Sequence, residues 1–376
     1  MKTGFDTLGD TASSVIMDGS GEPGQCAGNG PLLSARTVAS YLVERGLFDR
    51  QGTVEARELG GGVSNVVVLA RQGSLRVVVK QALGRLRVAD EWFARRDRAV
   101  TEGEALVLAQ RLVPGFVPEV LDVDREACAI TISAAPPGWR SWKEDLLSKK
   151  VEPKIATCLG ELLASLHTAT AGDVQVAQEF GNGEAFEELR VGPYYRTVAA
   201  RRPEIRPAVD EFIRQMEATR VCLVHGDYSP KNVLVGDNGL WVIDFEVAHH
   251  GDPAFDVAFM LNHLLLKRLH VREAAEKIEM CAVSFWEAYA KACGARVPDV
   301  AYVMGHVGCL MVARVDGKSP VEYLTSAERD TARRIGLGLV SRPPDTIEEG
   351  LARLRAGTGQ WSSGTVNTVG KEGKSE

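Results

Sequence analysis

No apolar run in this sequence approaches the roughly 18 to 20 residues that a helix needs to cross a bilayer. The first residues, Met1-Lys2-Thr3-Gly4, lead into no apolar segment of the kind that directs export. There is no cysteine framework either. The seven cysteines (26, 128, 158, 222, 281, 293 and 309) are scattered and form no Cys-x-x-Cys pair, which reads as reduced thiols and not as disulfides or a zinc site. Excess positive charge is missing too. The 44 Lys and Arg against 50 Asp and Glu give a net charge of -6, which argues against a dedicated nucleic-acid surface and favours solubility. No internal repeat is visible. The expectation is a cytoplasmic protein with no membrane span and no nucleic-acid partner. Its 376 residues, 45% hydrophobic and 25% charged, suffice for one large or two medium domains.

The densest signal lies between Leu223 and Phe259. It begins His225-Gly226-Asp227-Tyr228-Ser229-Pro230-Lys231-Asn232, continues as Val242-Ile243-Asp244-Phe245-Glu246, and ends in Gly251-Asp252-Pro253 with Asp256. Two apolar, β-branched runs flank Gly236-Asp237-Asn238-Gly239, and Asn-Gly there is a strong hairpin signal. An acid and an amide precede the hairpin and a second acid leaves it, which predicts Asp227, Asn232 and Asp244 at one mouth of a small sheet. Phosphoryl transfer wants such a set: one carboxylate to orient and deprotonate a hydroxyl, a carboxylate and an amide oxygen to hold Mg2+ on nucleotide phosphates. Protein kinases carry His-Arg-Asp-x-x-x-x-Asn and then Asp-Phe-Gly. Here the spacing is kept, with Gly226 for Arg and Asp-Phe-Glu for Asp-Phe-Gly. The pattern resembles the aminoglycoside phosphotransferase, choline kinase and methylthioribose kinase superfamily, whose form is His-Gly-Asp-x-x-x-x-Asn. An ordinary hairpin with polar turns is the bland alternative; three motif pieces in order weigh against it.

Upstream, residues 1 to 30 read as a loose tail rich in Gly, Ser, Asp and Thr, followed by a short helix from Ser34 to Gly46. Strands follow around Gly60-Gly61-Gly62-Val63-Ser64-Asn65. A glycine-rich turn between antiparallel strands lets backbone N–H groups approach phosphates, so Gly61, Gly62, Ser64 and Asn65 are nucleotide-binding candidates. Lys80 ends the next strand and is the candidate grip on the α- and β-phosphates. It needs an acid on the following helix. Glu102 and Glu104 are both available but two residues apart, so they cannot share a helix face. Similarity to the family's Arg-x-x-x-Glu-x-x-x-Leu helix favours Glu102 as the partner, leaving Glu104 solvated. Val79-Lys80-Gln81-Ala82-Leu83, the loop bearing Trp92, and Asp97-Arg98-Ala99 resemble methylthioribose kinase more than an aminoglycoside enzyme.

Strands are expected at 117–121 and 127–133, a hinge at 134–138, and an amphipathic helix at 152–170 in which His167 packs or caps. Residues 172–207, with Asp173, Glu179, Glu184, Glu187 and Glu188, read as an insertion for substrate-selecting loops. His249-His250 has no third ligand and is not taken as a metal site. Asp256 matches the superfamily aspartate that begins the next helix, with N-capping and bracing of the catalytic loop as its role; His225 supports the same loop. Helices continue to 356, and residues 358–376 read as a second tail.

These readings predict a two-lobed, protein-kinase-like α+β fold. Residues 31–135 form a small antiparallel N-lobe and 136–357 a helical C-lobe carrying the catalytic hairpin. The resemblance implies an ATP- and Mg2+-dependent small-molecule kinase. Asp227 would be the base, Asn232 and Asp244 metal ligands, and Lys80 held by Glu102 the phosphate grip. Asp-x-Glu is also the methylthioribose kinase form, which implies that Glu246 serves the metal; those enzymes commonly carry Ser where this chain has Asn232. The leading acceptor is a hydroxyl of a sugar-like compound such as methylthioribose, with Arg314 and Trp92 as substrate candidates. The alternatives are an antibiotic phosphotransferase and a nucleotide-binding pseudokinase. A protein kinase is disfavoured by the lack of Ala-Pro-Glu after Asp244. The expected assembly is a monomer or homodimer.

Overall fold

A computed structural model of the chain describes residues 31–60, 62–88 and 91–359. The expected tail at 1–30, most of the tail at 358–376, and Gly61 lie outside the described residues; residues 358 and 359 close the last helix, Ile347–Gly359. The fold is a mixed α+β one with an antiparallel sheet and a mostly helical remainder. It gathers into two compact units, 31–140 with 233–248, and 141–232 with 249–359. Among the described residues no helix is long and apolar enough to cross a membrane.

The first unit is built on a five-stranded antiparallel sheet. Its strands are β1 (Glu55–Glu58), β2 (Asn65–Gln72), β3 (Leu75–Ala82), β4 (Val120–Asp124) and β5 (Ala129–Ser133), in the order β1-β2-β3-β5-β4. Alternation along a strand sends successive side chains to opposite faces. Val66, Val68 and Ala70 of β2 and Val77 and Val79 of β3 therefore pack with Val38 and Leu42 of helix α1 (Val38–Glu44). The same alternation sends Lys80 to the other face, where helix α2 (Arg98–Leu112) lies. Gly103 lets α2 approach closely: a Cβ there would stand 2.8 Å from Val123 Cγ2.

The hairpin Val233–Gly236 with Gly239–Val242 belongs to this unit, whereas the lobe boundary expected at 135/136 assigns it to the helical half. The reason is local bonding. Val242 N–H donates to Phe116 O at 2.8 Å, and Trp139 meets Trp241 edge-on at 5.3 Å. The turn also differs from the expected Asn-Gly type. Gly236 pairs with Gly239, the loop is Asp237-Asn238, and the positive φ falls on Gly239.

The second unit is helical around one short antiparallel pair, Cys222–Val224 with His249–Gly251. Its main helices are Pro153–Thr170, Pro253–His270, Ala275–Cys293, Val300–Asp316 and Ser326–Ser341. Residues 172–207 are not the loops that their Gly, Pro and charge content predicts. They form Val174–Glu179, Glu184–Phe186, a ten-residue π-helix Glu187–Arg196, and Thr197–Arg201. Buried Phe186, Leu189, Val191, Tyr194, Tyr195 and Val198 supply the apolar face that stabilises them. The wider π turn accommodates Pro193 inside the helix.

Candidate active site

In the first unit the expected lysine and its acid meet. Lys80 Nζ lies 2.5 Å from Glu102 Oε1 and 2.6 Å from Asp244 Oδ1. Burial alone would lower the ammonium's pKa. Asp244, Glu102 and Glu246 more than offset it and hold the group protonated, above its ordinary range. Glu104, expected to be solvated, is paired with Arg125 at 2.5 Å. Asp244 sits at φ +74°, one of three non-glycine residues with positive φ among those described. Such a conformation costs roughly 1–3 kcal/mol and collects at functional sites.

Glu246, the metal ligand that resemblance implies, is held by protein donors. Ser64 Oγ donates to its Oε1 at 2.7 Å, Asn65 Nδ2 to its Oε2 at 2.8 Å, and Arg98 Nε to Oε2 at 3.1 Å. Both oxygens are engaged by protein donors. Arg98, the first residue of α2, is completely buried and also donates to Ser64 O at 2.5 Å and Leu83 O at 2.8 Å. The glycine-rich turn is thus tied through Glu246 to the start of α2. Ser64 and Asn65, expected at the nucleotide, spend their side chains on this tie. Gly62 lies in the turn that precedes them.

In the second unit the His-Gly-Asp segment forms a tight, buried loop. Gly226 has φ +74°, a conformation that a Cβ would strain. Its N–H donates to Asp256 Oδ1 at 2.8 Å and the His225 N–H to Asp256 Oδ2 at 2.7 Å. Burial would raise the Asp256 carboxyl. The hydrogen bond and charge of His167, and the bond from His225 N–H, outweigh burial and hold it below its ordinary value. His167 joins Asp256 at 3.3 Å to Tyr289 OH at 2.9 Å. Bracing by Asp256 matches the expected geometry; N-capping does not. The helix begins at Pro253, and Asp252 caps it by accepting from Ala254 N–H.

Asp227 is 3% exposed and its Oδ2 takes three donors. Asn232 Nδ2 stands at 2.8 Å, Arg190 Nη2 at 2.9 Å and Lys231 Nζ at 3.0 Å. His225 Nδ1 accepts from the Asp227 N–H at 3.1 Å. Arg190 was hidden from sequence reasoning, because it lies in the segment read as an insertion. Its signal is a charge between Leu189 and Val191 in a buried run, and its Nε also holds Gly226 O at 2.8 Å. The substrate candidates fall in different units. Trp92 is buried in the segment that follows β3, where its carbonyl takes the Leu86 N–H. Arg314 donates to Tyr194 OH at 3.2 Å and to Ser319 Oγ at 2.8 Å.

Among the described residues no three His, Cys, Asp or Glu side chains cluster as a metal cage. Mg2+ on a nucleotide does not require one, since it takes one or two carboxylates, phosphate oxygens and water. Oxygen donors of the required kind are present in Asp244 and in the Asn232 amide, whose Nδ2 is committed to Asp227.

Residues 55–289 match the phosphotransferase enzyme family. The chain is 28% identical over 278 residues to a methylthioribose kinase of Enterobacter sp. (strain 638), covering 65% of this chain and 69% of that one. It is 28% identical over 356 residues to a methylthioribose kinase of Geobacillus kaustophilus (strain HTA426), covering 81% and 89%. Among solved structures, the microcompartment-associated aminopropanol kinase superposes with a TM-score of 0.52 at 14% identity, over 86% of this chain and 98% of that one. A match over well more than half its length, through both motif segments described above, places the chain: it belongs to the phosphotransferase enzyme family.

Proposed function

We propose that this phosphotransferase moves the γ-phosphate of ATP to a hydroxyl of a small sugar-like alcohol, with a methylthioribose-type ribose as the leading acceptor. The observation that carries the reading is the buried Asp227, set by Asn232, Arg190 and Lys231 on a loop that Asp256 holds rigid. Asp227 orients the acceptor hydroxyl and takes its proton as the oxygen attacks the γ-phosphorus. The new O–P bond forms as the bond to the bridging β–γ oxygen breaks, and the electron pair leaves with ADP. Lys80, fixed between Glu102 and Asp244, sets its ammonium against the α- and β-phosphates. Asp244 and the Asn232 amide oxygen would hold Mg2+, which neutralises charge on the phosphate oxygens.

The similarity to methylthioribose kinases favours the sugar-like acceptor. The acids of 172–207 that a polycationic antibiotic would need are partly committed elsewhere. Asp173 caps the helix Val174–Glu179, and Glu187 pairs with Arg196 at 2.7 Å. ADP release with Mg-ATP, measured across methylthioribose, other pentoses, choline and aminoglycosides with Asp227→Ala as the blank, tests the reading. Turnover confined to ribose-like compounds is expected. Turnover of an aminoglycoside alone would refute the sugar assignment, and undiminished turnover by Asp227→Ala would refute the base.

A further inference from the structure

The helix Pro153–Thr170 holds the segment that carries Asp227 at three points. Thr170 Oγ1 accepts from the Leu223 N–H at 3.0 Å, ahead of the loop. Leu159 O accepts from the Tyr228 hydroxyl at 2.8 Å, directly after the base. Between them His167 Nε2 stands 3.3 Å from Asp256 Oδ2, and that carboxylate takes the His225 and Gly226 N–H groups. Asp227 is thus flanked on both sides by residues whose polar groups lead back to one helix.

The ring of His167 is fixed at its other edge as well. Gly160 lets the helix Ala275–Cys293 come close: a Cβ there would run into Phe285 O and stand 3.0 Å from Tyr289 N. That approach sets Tyr289 OH 2.9 Å from His167 Nδ1. Burial, and then the Cys293 thiol, push the Tyr289 phenol far above its ordinary value, so the hydroxyl keeps its proton. His167, Tyr289 and Asp256 are each 3% exposed or less, so no water replaces a partner that is lost. Asp256 stays ionised and a carboxylate only accepts, so the facing Nε2 of His167 carries a proton. A side chain that merely filled the space between two helices would need neither bond.

We propose that His167 is a positioning residue for phosphoryl transfer: its Nε2–H, with Tyr289 OH at the opposite ring edge, orients the Asp256 carboxylate and through it the backbone that aims Asp227. Without that donor the carboxylate is freer to turn, and with it the two N–H groups it holds. A small displacement of a base slows the chemical step and leaves substrate contacts in place. The inference rests on the reading of Asp227 as the base and adds the residues that aim it.

The test compares His167→Leu, His167→Gln and Tyr289→Phe in the ADP-release assay with methylthioribose, beside titration of Mg-AMP-PNP. His167→Leu should lower kcat by about 10- to 100-fold and leave KM and the nucleotide Kd within about twofold. Gln carries an N–H donor where the imidazole has Nε2, so His167→Gln should recover most of the loss. Equal losses in the Leu and Gln variants, or a wild-type kcat in the Leu variant, would mean that His167 only packs, and overturn the inference. Should His167→Leu not fold, Tyr289→Phe decides: it must lower kcat by about threefold or more with KM unmoved, and no change overturns the inference. Amide hydrogen exchange in the Mg-AMP-PNP complex needs no acceptor. The His225 and Gly226 amides should exchange about tenfold faster or more in His167→Leu and near the wild-type rate in His167→Gln; unchanged exchange in the Leu variant overturns the inference whatever the kinetics. Undiminished turnover by Asp227→Ala removes the base and this inference together. Loss of turnover there with wild-type kinetics in His167→Leu removes this inference alone.

Discussion

Arg190 Nη2 lies 2.9 Å from Asp227 Oδ2, and the same guanidinium holds Gly226 O through Nε at 2.8 Å. One side chain therefore fixes both the carboxylate and the backbone of the loop that carries it. Arg190→Met should lower kcat by about 10- to 100-fold, since small displacements of a base cost that much. It should leave the nucleotide Kd near its wild-type value. Steady-state kinetics together with calorimetric titration of Mg-ADP check this. An unchanged kcat would mean that Arg190 only packs.

The tie through Glu246 and the metal role implied by resemblance make opposite predictions. Glu246→Gln strips the anion from Arg98, whose side chain is completely buried, and should destabilise the protein by about 3 kcal/mol. The half-saturating Mg2+ concentration for nucleotide binding should move little. Asp244→Asn should do the reverse, weakening the Mg2+ dependence. Denaturant unfolding beside Mg2+ titrations of both variants decides, and a large Mg2+ shift in Glu246→Gln with normal stability would return Glu246 to the metal.

Lys80 stands between two acids, Glu102 and Asp244. Lys80→Met removes the cation that lets these carboxylates sit together as well as the phosphate grip. It should weaken Mg-ATP binding about tenfold or more. Equilibrium binding of a fluorescent ATP analogue reads this directly; wild-type affinity would exclude Lys80 from the nucleotide.

The part of this arrangement legible in the sequence was the part with a strict period or a strict spacing. Lys80 follows from its place at the end of an apolar strand, and Asp227 with Asn232 from the Asp-x-x-x-x-Asn spacing. Glu102 needed the resemblance to choose it over Glu104. Arg190 was not legible, because a π-helix breaks the 3.6-residue period and Gly192-Pro193 imitates a loop. The cap was legible and missed: Pro253 at the first helical position points to Asp252, one residue earlier, and not to Asp256. Glu246 shows a different limit. The Asp-x-Glu pattern suggests a metal ligand, but whether donors from Ser64, Asn65 and Arg98 fill it is a property of three distant segments meeting.

Lys267 gives a pH signature with a definite sign. Its folded-state pKa is pushed down to about 7, whereas an unfolded lysine titrates near about 10.4. Between these values the unfolded chain binds more protons than the folded one, so stability should rise with pH across that window and level off on either side. Lys267→Met removes the buried ammonium and keeps most of its volume. It should raise stability at pH 7 by about 1–4 kcal/mol and abolish the rise between pH 7 and 10. Denaturant midpoints at four or five pH values measure both effects, and a variant with the wild-type slope would assign the slope to other groups.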